Sequence, residues 1–455
     1  MNKLSSSFRD PSGFLFEDSG ILLRQVNQCY RDDYDLLKGS ELYEKLVKKG
    51  LLIPHRELYG HSGLTEKAYK IIQPEQISFI SYPYEWSFSQ LQDAALTTLI
   101  IQKMALEHGM TLKDASAYNI QFHNGKAVFI DTLSFERYEE GRPWVAYGQF
   151  CRHFLAPLAL MSYCDVRLNR LLQIHLDGLP LDMVSAMLPW RTRLSFSLFI
   201  HIPLHARSQK KYENKPDAAK MASISKNRLK TLIIGLKHAV ERLRISGQHT
   251  EWANYYSFTN YSDLSFNHKK KVLYSMLQSI KPEVVWDLGA NTGFFSQLAA
   301  DMGAYCIAFD IDPLAVDAGY CFIKKNSITN LLPLVIDLTN PSPGIGWNHN
   351  ERMSLKQRNM PDTTLALALI HHLAISNNLP LERIAAFFNE LCSNLIIEFV
   401  PKTDSQVKKL LASREDVFPE YHEEGFRHVF EKYFEIKEGV QINGSDRILF
   451  SMQKR

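Results

Sequence analysis

The run Asp287-Leu-Gly289-Ala-Asn291-Thr-Gly293 combines a carboxylate, two glycines and an asparagine at a spacing that can do chemistry. Glycine adopts left-handed dihedrals freely, and asparagine is among the few other residues that tolerate them, so this turn can bring bare backbone against a ligand. A carboxylate just before such a turn opposes a phosphate and suits a cationic group, so a sulfonium ligand fits better than a pyrophosphate. The GxGxxG spacing that seats a pyrophosphate on a helix N-terminus is not what stands here. Further carboxylates follow at Asp310 and Asp337. A second group, Asp114, Asn119 and Asp131 at separations of five and twelve, offers three oxygen-bearing side chains that can hold magnesium and orient an attacking hydroxyl.

Elements must position these residues. From 284 the chain alternates a short β-rich run, the glycine turn, a helix-length segment Phe294–Met302 and a second β-rich run ending at Asp310, which is a βαβ unit. LPLVIDLTN, ending near Asp337, reads as a third strand. TTLALALIHHL and NLIIEFV read as central parallel strands, with the helix LERIAAFFNEL between them. Ligands of open α/β sheets bind beyond the carboxyl ends of strands, which puts Ile370, His371, His372 and Glu398 at the rim. A histidine there can act as a base near neutral pH or end the strand at a wet surface. Glu398 can position an acceptor or form a strand-end salt bridge.

The Asp287–Gly293 motif resembles the glycine-rich first motif of class I S-adenosylmethionine-dependent methyltransferases in its DxGANxG form, and the resemblance extends over 284–400. It implies a Rossmann-like seven-stranded sheet in which Asp287, Gly289, Asn291 and Gly293 hold the methionine end of the cofactor. Asp310 matches the acid that takes the ribose, whose two adjacent hydroxyls can both donate to one carboxylate. Asp312, pointing the other way along the strand, is the weaker partner. Asp337 matches the group that accepts from the adenine amine. His371, His372 and Glu398 would face the methyl acceptor, and Tyr255 or Tyr261 would cover the cofactor. The Asn-Pro-Pro-Tyr motif of enzymes that methylate nucleic-acid bases is absent.

In the first half, LKDASAYNIQFHNGKAVFIDTLSFE places the Asp114 group around a hairpin-like HNGK turn. The stretch resembles the catalytic loop and metal-binding strand of protein-kinase-like folds, in which Asp114 would be the catalytic base and Asn119 and Asp131 the magnesium ligands for Mg-ATP. It departs from that pattern at Lys113, Thr132 and Leu133. DPSGFLFEDSGILLRQV has only two glycines over the expected phosphate loop, and Arg24 in place of a confident lysine. A retained fold without phosphotransfer, a small-molecule or glycan kinase, and a chance match in which Asp114 caps a local turn all remain open.

The chain has 455 residues, 52 Lys+Arg against 49 Asp+Glu, and a formal charge of +3. At ~150 residues per domain this suggests two or three domains and excludes a disordered chain or a non-specific nucleic-acid binder. Six cysteines without a CxxC pair suggest neither disulfides nor zinc. The polar stretch 204–225 marks a boundary near 215, giving an α+β kinase-like domain at 1–215 and an α/β methyltransferase domain at 216–455. The segment 226–246 is expected to be a helix. Residues 151–271 hold 19 Lys+Arg and 8 Asp+Glu, which reads as solvated helix faces or as a surface for an anionic substrate or a phosphate-rich membrane face. No apolar run approaches the ~20 residues of a membrane span. The whole chain resembles bacterial methyltransferase proteins akin to nodulation proteins that decorate oligosaccharides. That implies a cytoplasmic enzyme acting on a saccharide or other small molecule, with no nucleic-acid partner.

Overall fold

The computed structural model describes residues 1–207, 223–245, 263–412 and 415–455, in two compact units. One comprises 1–248 with 344–353, the other 249–343 with 354–455. The expected boundary near 215, and Tyr255 and Tyr261, lie outside the described residues. The expected helix at 226–246 forms as Lys226–Arg242 and belongs to the first unit, where the carbonyls of Val240 in its last turn and of Leu243 at its C-cap accept from the Gln92 side chain.

In the first unit, β1 (Asn2–Lys3), β2 (Gly13–Asp18), β3 (Ile21–Asn27), β4 (His55–Glu57) and β5 (Ala68–Pro74) form an antiparallel sheet in the order β1-β2-β3-β5-β4. The 20-residue helix Phe88–Glu107 starts at Ser87, which exchanges a capping box with Gln90. Next come β6 (Met110–Leu112), paired with β9 (Phe135–Arg137), and the hairpin of β7 (Ile120–His123) and β8 (Lys126–Phe129). Its turn, Asn124-Gly125, has both residues at positive φ, as a two-residue hairpin of this twist requires. Residues 344–353 enter this unit through an Arg9–Glu351 ion pair, a Met353 N–H donated to Tyr82 Oη, and Arg352 over the Tyr118 ring.

The second unit is a seven-stranded sheet. Its strands are β10 (Val284–Leu288), β11 (Tyr305–Asp310), β12 (Leu331–Val335), β13 (Thr363–Ala366), β14 (Asn394–Phe399), β15 (Phe434–Gln441) and β16 (Ile448–Lys454), in the order β12-β11-β10-β13-β14-β16-β15. The first five are mutually parallel and β16 runs antiparallel between β14 and β15. The strand order reverses beside β10, so a crevice opens at the carboxyl ends of β10 and β13. β13 is shorter than the apolar run TTLALALIHHL implies. It stops at Ala366, Ala368 takes a positive φ, and His372–Ser376 form a π-helical turn. The strands β10 to β14 are largely buried, as sheets covered by helices on both faces require.

Candidate cofactor site

The glycine motif folds as a left-handed turn: Gly289 has φ +78°, Asn291 +53° and Gly293 +83°. It is stitched to the neighbouring strand, because the N–H groups of Gly289 and Ala290 both donate to the Phe309 carbonyl at 2.9 Å and the Asn291 N–H donates to Asp310 Oδ2 at 2.7 Å. The helix Pro313–Asn326 backs it closely, and a Cβ on Gly319 would lie 2.8 Å from the Thr292 carbonyl oxygen. Asp310 Oδ1 accepts from the Asp312 N–H at 2.9 Å, so both carboxylate oxygens are oriented by backbone. Asp312 itself caps that helix, accepting from Leu314 N–H at 2.9 Å.

Gly289, Asn291, Asp310, Asp337 and His372 line a single cavity of about 380 Å³ together with Thr339, Leu369, Ser376 and Asn377. Among the described residues, no lysine or arginine lines it. Asp337 Oδ1 accepts from Thr339 N–H and Oγ1 at 2.9 and 2.7 Å, which turns the chain after β12. Burial pushes the Asp310 carboxyl up to about 6 and holds His372 down near 4. At neutral pH the cavity therefore presents the Asp310 carboxylate and an uncharged imidazole. That charge pattern repels a pyrophosphate and suits a cation carrying hydroxyl donors.

Two of the expected acceptor-facing residues lie elsewhere. Glu398 is fully buried in an ion-pair cluster, with Lys269 Nζ at 2.6 Å and Arg447 Nη1 at 3.7 Å, while Arg447 Nε donates to Asp404 at 2.8 Å. It is the strand-end salt bridge. His371 is 2% exposed and lines no part of the cavity; burial drives its imidazole well below the ordinary range. The two rings touch, with centroids 4.2 Å apart, but neither keeps a near-neutral pKa, so neither suits a general base at pH 7. Asp287 is also buried beneath the turn and accepts from Ser296 Oγ at 2.6 Å; burial pushes it up to about 6. It anchors the helix Phe294–Asp301 under the glycine turn and does not line the cavity.

No family model matches the chain. Over 460 residues the chain is 34% identical to nodulation protein NoeA of Rhizobium meliloti (strain 1021), covering 99% of this chain and 96% of that one. The chain belongs to the NoeA family. Among solved structures, magnesium protoporphyrin IX methyltransferase (ChlM) from Synechocystis PCC 6803 is 17% identical, covering 45% of this chain and 93% of its own, with a TM-score of 0.32. N-methyltransferase NodS from Bradyrhizobium japonicum WM9 is 12% identical, covering 42% and 98%, with the same TM-score. The bifunctional kinase-methyltransferase WbdD is 16% identical over 46% and 43%, at 0.31. Likenesses this loose carry no argument about activity.

In the first unit of this NoeA-family chain the Asp114 group does come together. Asn119 Nδ2 donates to Ser134 Oγ at 3.2 Å, and that hydroxyl donates to Asp131 Oδ2 at 2.5 Å. Asp114 closes a local turn by accepting from Ser116 N–H at 2.8 Å, and burial raises its carboxyl. Asp131 already holds a cation, since Arg24 Nη2 lies 2.6 Å from its Oδ1. Burial pushes that carboxyl up, but Arg24 and the Ser134 and Leu133 donors hold it below its ordinary range. Among the described residues no cluster of three or more His, Cys, Asp or Glu side chains offers a metal site.

No sequence signal pointed to Thr339, Ser376 and Asn377 in the cavity. They sit in the turns that follow β12 and β13, Ser376 closing the π-helical turn, where strand or α-helix periodicity says nothing. Lys269 stood in a run of three lysines, which composition alone reads as a solvated face.

Proposed function

We propose that this NoeA-family chain is an S-adenosylmethionine-dependent methyltransferase acting on a hydroxyl of a saccharide or other small metabolite. The observation that carries the reading is the cavity bounded by Gly289, Asn291, Asp310 and Asp337 at the carboxyl ends of parallel strands, with no lysine or arginine among its described lining residues. These residues fit the cofactor: Asp310 would take the ribose hydroxyls, Asp337 the adenine amine, and the backbone around Gly289 the methionine end. A Cβ on Gly289, besides its φ of +78°, would press to 3.2 Å from Leu369, so a bare backbone there keeps the crevice open. When bound, the cofactor supplies an electrophilic methyl carbon on a sulfonium. What the chain's own residues contribute is placement of the acceptor lone pair at near-attack distance, since His371 and His372 are held neutral and weakly basic.

The first unit, expected at 1–215, is on this reading a kinase-like scaffold that has lost phosphotransfer; Arg24 on Asp131 supports this, because a guanidinium stands where a magnesium ion would. A cytoplasmic bacterial setting follows from the same reading. Calorimetric titration with S-adenosylmethionine, NAD and Mg-ATP tests these statements together. Saturable heat with the first alone is expected, and binding of NAD in its place overturns the assignment. Mass spectrometry of cell extracts incubated with the protein and isotopically labelled methyl donor then identifies the acceptor.

A further inference from the structure

Single exposed apolar side chains are ordinary on a protein surface, but a cluster calls for a reason. In the first unit the helix Leu181–Met187 leads through Pro189 into the 3₁₀ turn Trp190–Leu194, the short helix Phe196–Phe199 and the π-helical turn Ile200–Leu204. Leu188, Thr192, Leu198 and Ile202 are buried and fix this segment to the unit. The side chains between them face water: Trp190 is 74% exposed, Leu194 76% and Phe196 78%. Arg191 and Arg193 are interleaved with them and also exposed.

We propose that Trp190, Leu194 and Phe196, rimmed by Arg191 and Arg193, dock the protein on an anionic lipid bilayer. The composition matches that occupant: an indole and two large apolar groups suit the boundary between headgroups and acyl chains, and guanidinium groups suit phosphate headgroups. From 183 to 212 the sequence contains no acidic residue to repel such a surface. A second copy of the chain is a poorer occupant, because a two-fold contact would set these arginines against their own mates with no acid in the segment to offset them. The contact is peripheral, since no helix among the described residues is long and apolar enough to cross a membrane.

Co-sedimentation of the full chain with phosphatidylcholine vesicles, with and without phosphatidylglycerol, tests this. Wild type is expected to bind the mixed vesicles and to leave them as salt rises. The variant Trp190→Ser/Leu194→Ser/Phe196→Ser should lower the partition coefficient on the order of 100-fold, and Arg191→Glu/Arg193→Glu by at least about tenfold. Both variants should keep the wild-type melting temperature, because the altered side chains are exposed. Both should also keep whatever S-adenosylmethionine affinity the wild type has, so failure of this proposal and of the functional reading remain distinguishable. Absence of vesicle binding by wild type, or binding undiminished in the triple variant, overturns the proposal. So does a wild-type dimer on size-exclusion chromatography that the triple variant dissolves without any vesicle binding.

Discussion

Asp310→Asn separates the two roles the Asp310 carboxylate plays. If it takes two ribose hydroxyls, each is a charge-assisted hydrogen bond of about 1.5–3 kcal/mol. An asparagine keeps one neutral acceptor in nearly the same place, so a net loss of about 3 kcal/mol, roughly 100-fold in affinity, is expected. Stability should respond differently. Burial raises this carboxyl from 3.8 to about 6, which places about 3 kcal/mol against the folded state above that pH, and the amide removes the charge. Against that gain, the Asn291 and Asp312 N–H groups both donate to the carboxylate, and the new amide must turn its own N–H₂ toward one of them at a cost of about 1–3 kcal/mol. The two effects offset to within about 2 kcal/mol. The assay is calorimetric titration with S-adenosylmethionine at pH 8, paired with thermal denaturation followed by circular dichroism. A dissociation constant within twofold of wild type, in a variant that melts normally, refutes the assignment of Asp310.

Lowering the pH should move affinity and stability in opposite directions. The folded pKa of Asp310 lies above its unfolded value, so the folded state binds the proton more tightly between about pH 6 and 4. The stability of wild type relative to Asp310→Asn should therefore rise by about 3 kcal/mol as pH falls through that window, as read by urea titration. Wild-type affinity for S-adenosylmethionine should meanwhile fall about tenfold per unit below pH 6, and a flat binding profile would contradict the ionised carboxylate as ligand. Gly319→Ala should destabilise the second unit by about 1–3 kcal/mol and weaken cofactor binding, because the added methyl meets the Thr292 carbonyl 2.8 Å away and pushes on the glycine turn; melting and titration on the same sample read both effects. Lys269→Met should cost about 3–5 kcal/mol, since it leaves Glu398 buried without its nearer cation, Arg447 standing off at 3.7 Å. Lys269→Met/Glu398→Gln should recover most of that loss in a denaturant melt.

The parts of the site that depend on backbone periodicity and turn chemistry were legible in the sequence. Gly289, Asn291 and Gly293 announced a strand-to-helix turn because these residue types accept its left-handed dihedrals most readily, and Asp310 was placed by the length of one βαβ unit. The hairpin at Asn124-Gly125 and the helix Lys226–Arg242 were legible for the same local reasons. What failed was side-chain depth. Glu398 stands at the end of β14 and His371 at the end of the apolar run that contains β13, yet whether such a residue meets ligand or core depends on what arrives from elsewhere in the chain. Lys269 and Arg447, 129 residues before and 49 after Glu398, claim its carboxylate. The early stop of β13 at Ala366 turns His372 rather than His371 into the cavity. The strands β15 and β16 carried no legible signal of their own; alternation in FEIKEGVQ is weak, and their place in the sheet came only from the resemblance.

The same long-range logic explains the first unit. Asp131 sits 107 residues after Arg24 in sequence, so no motif on either side could tell that its charge is already satisfied. The surrounding contacts are consistent with a cleft closed on itself. Lys113 Nζ donates to Ser12 Oγ at 2.8 Å, Asn27 Nδ2 donates to the Pro11 carbonyl at 2.8 Å, and Arg24 Nη2 also lies 4.0 Å from Asp10 Oδ2. Where β2 begins, its backbone lies so close to β3 that a Cβ on Gly13 would fall 2.1 Å from the Gln25 carbonyl oxygen. A loop that cradles phosphates needs its N–H groups turned to a ligand; here the Ser12 N–H donates to Asp10 Oδ1 and the Leu15 N–H to Ser7 Oγ. Admitting a magnesium ion at Asp131 would require displacing the largely covered Arg24 guanidinium from its partner at 2.6 Å and leaving it with Asp10 Oδ2 at 4.0 Å, a loss the ion would have to offset. Arg24 thus does for Asp131 structurally what a magnesium ion would do in the metal site the sequence suggested, and on the proposed reading this lets the Asp114, Asn119 and Asp131 group stand without phosphotransfer.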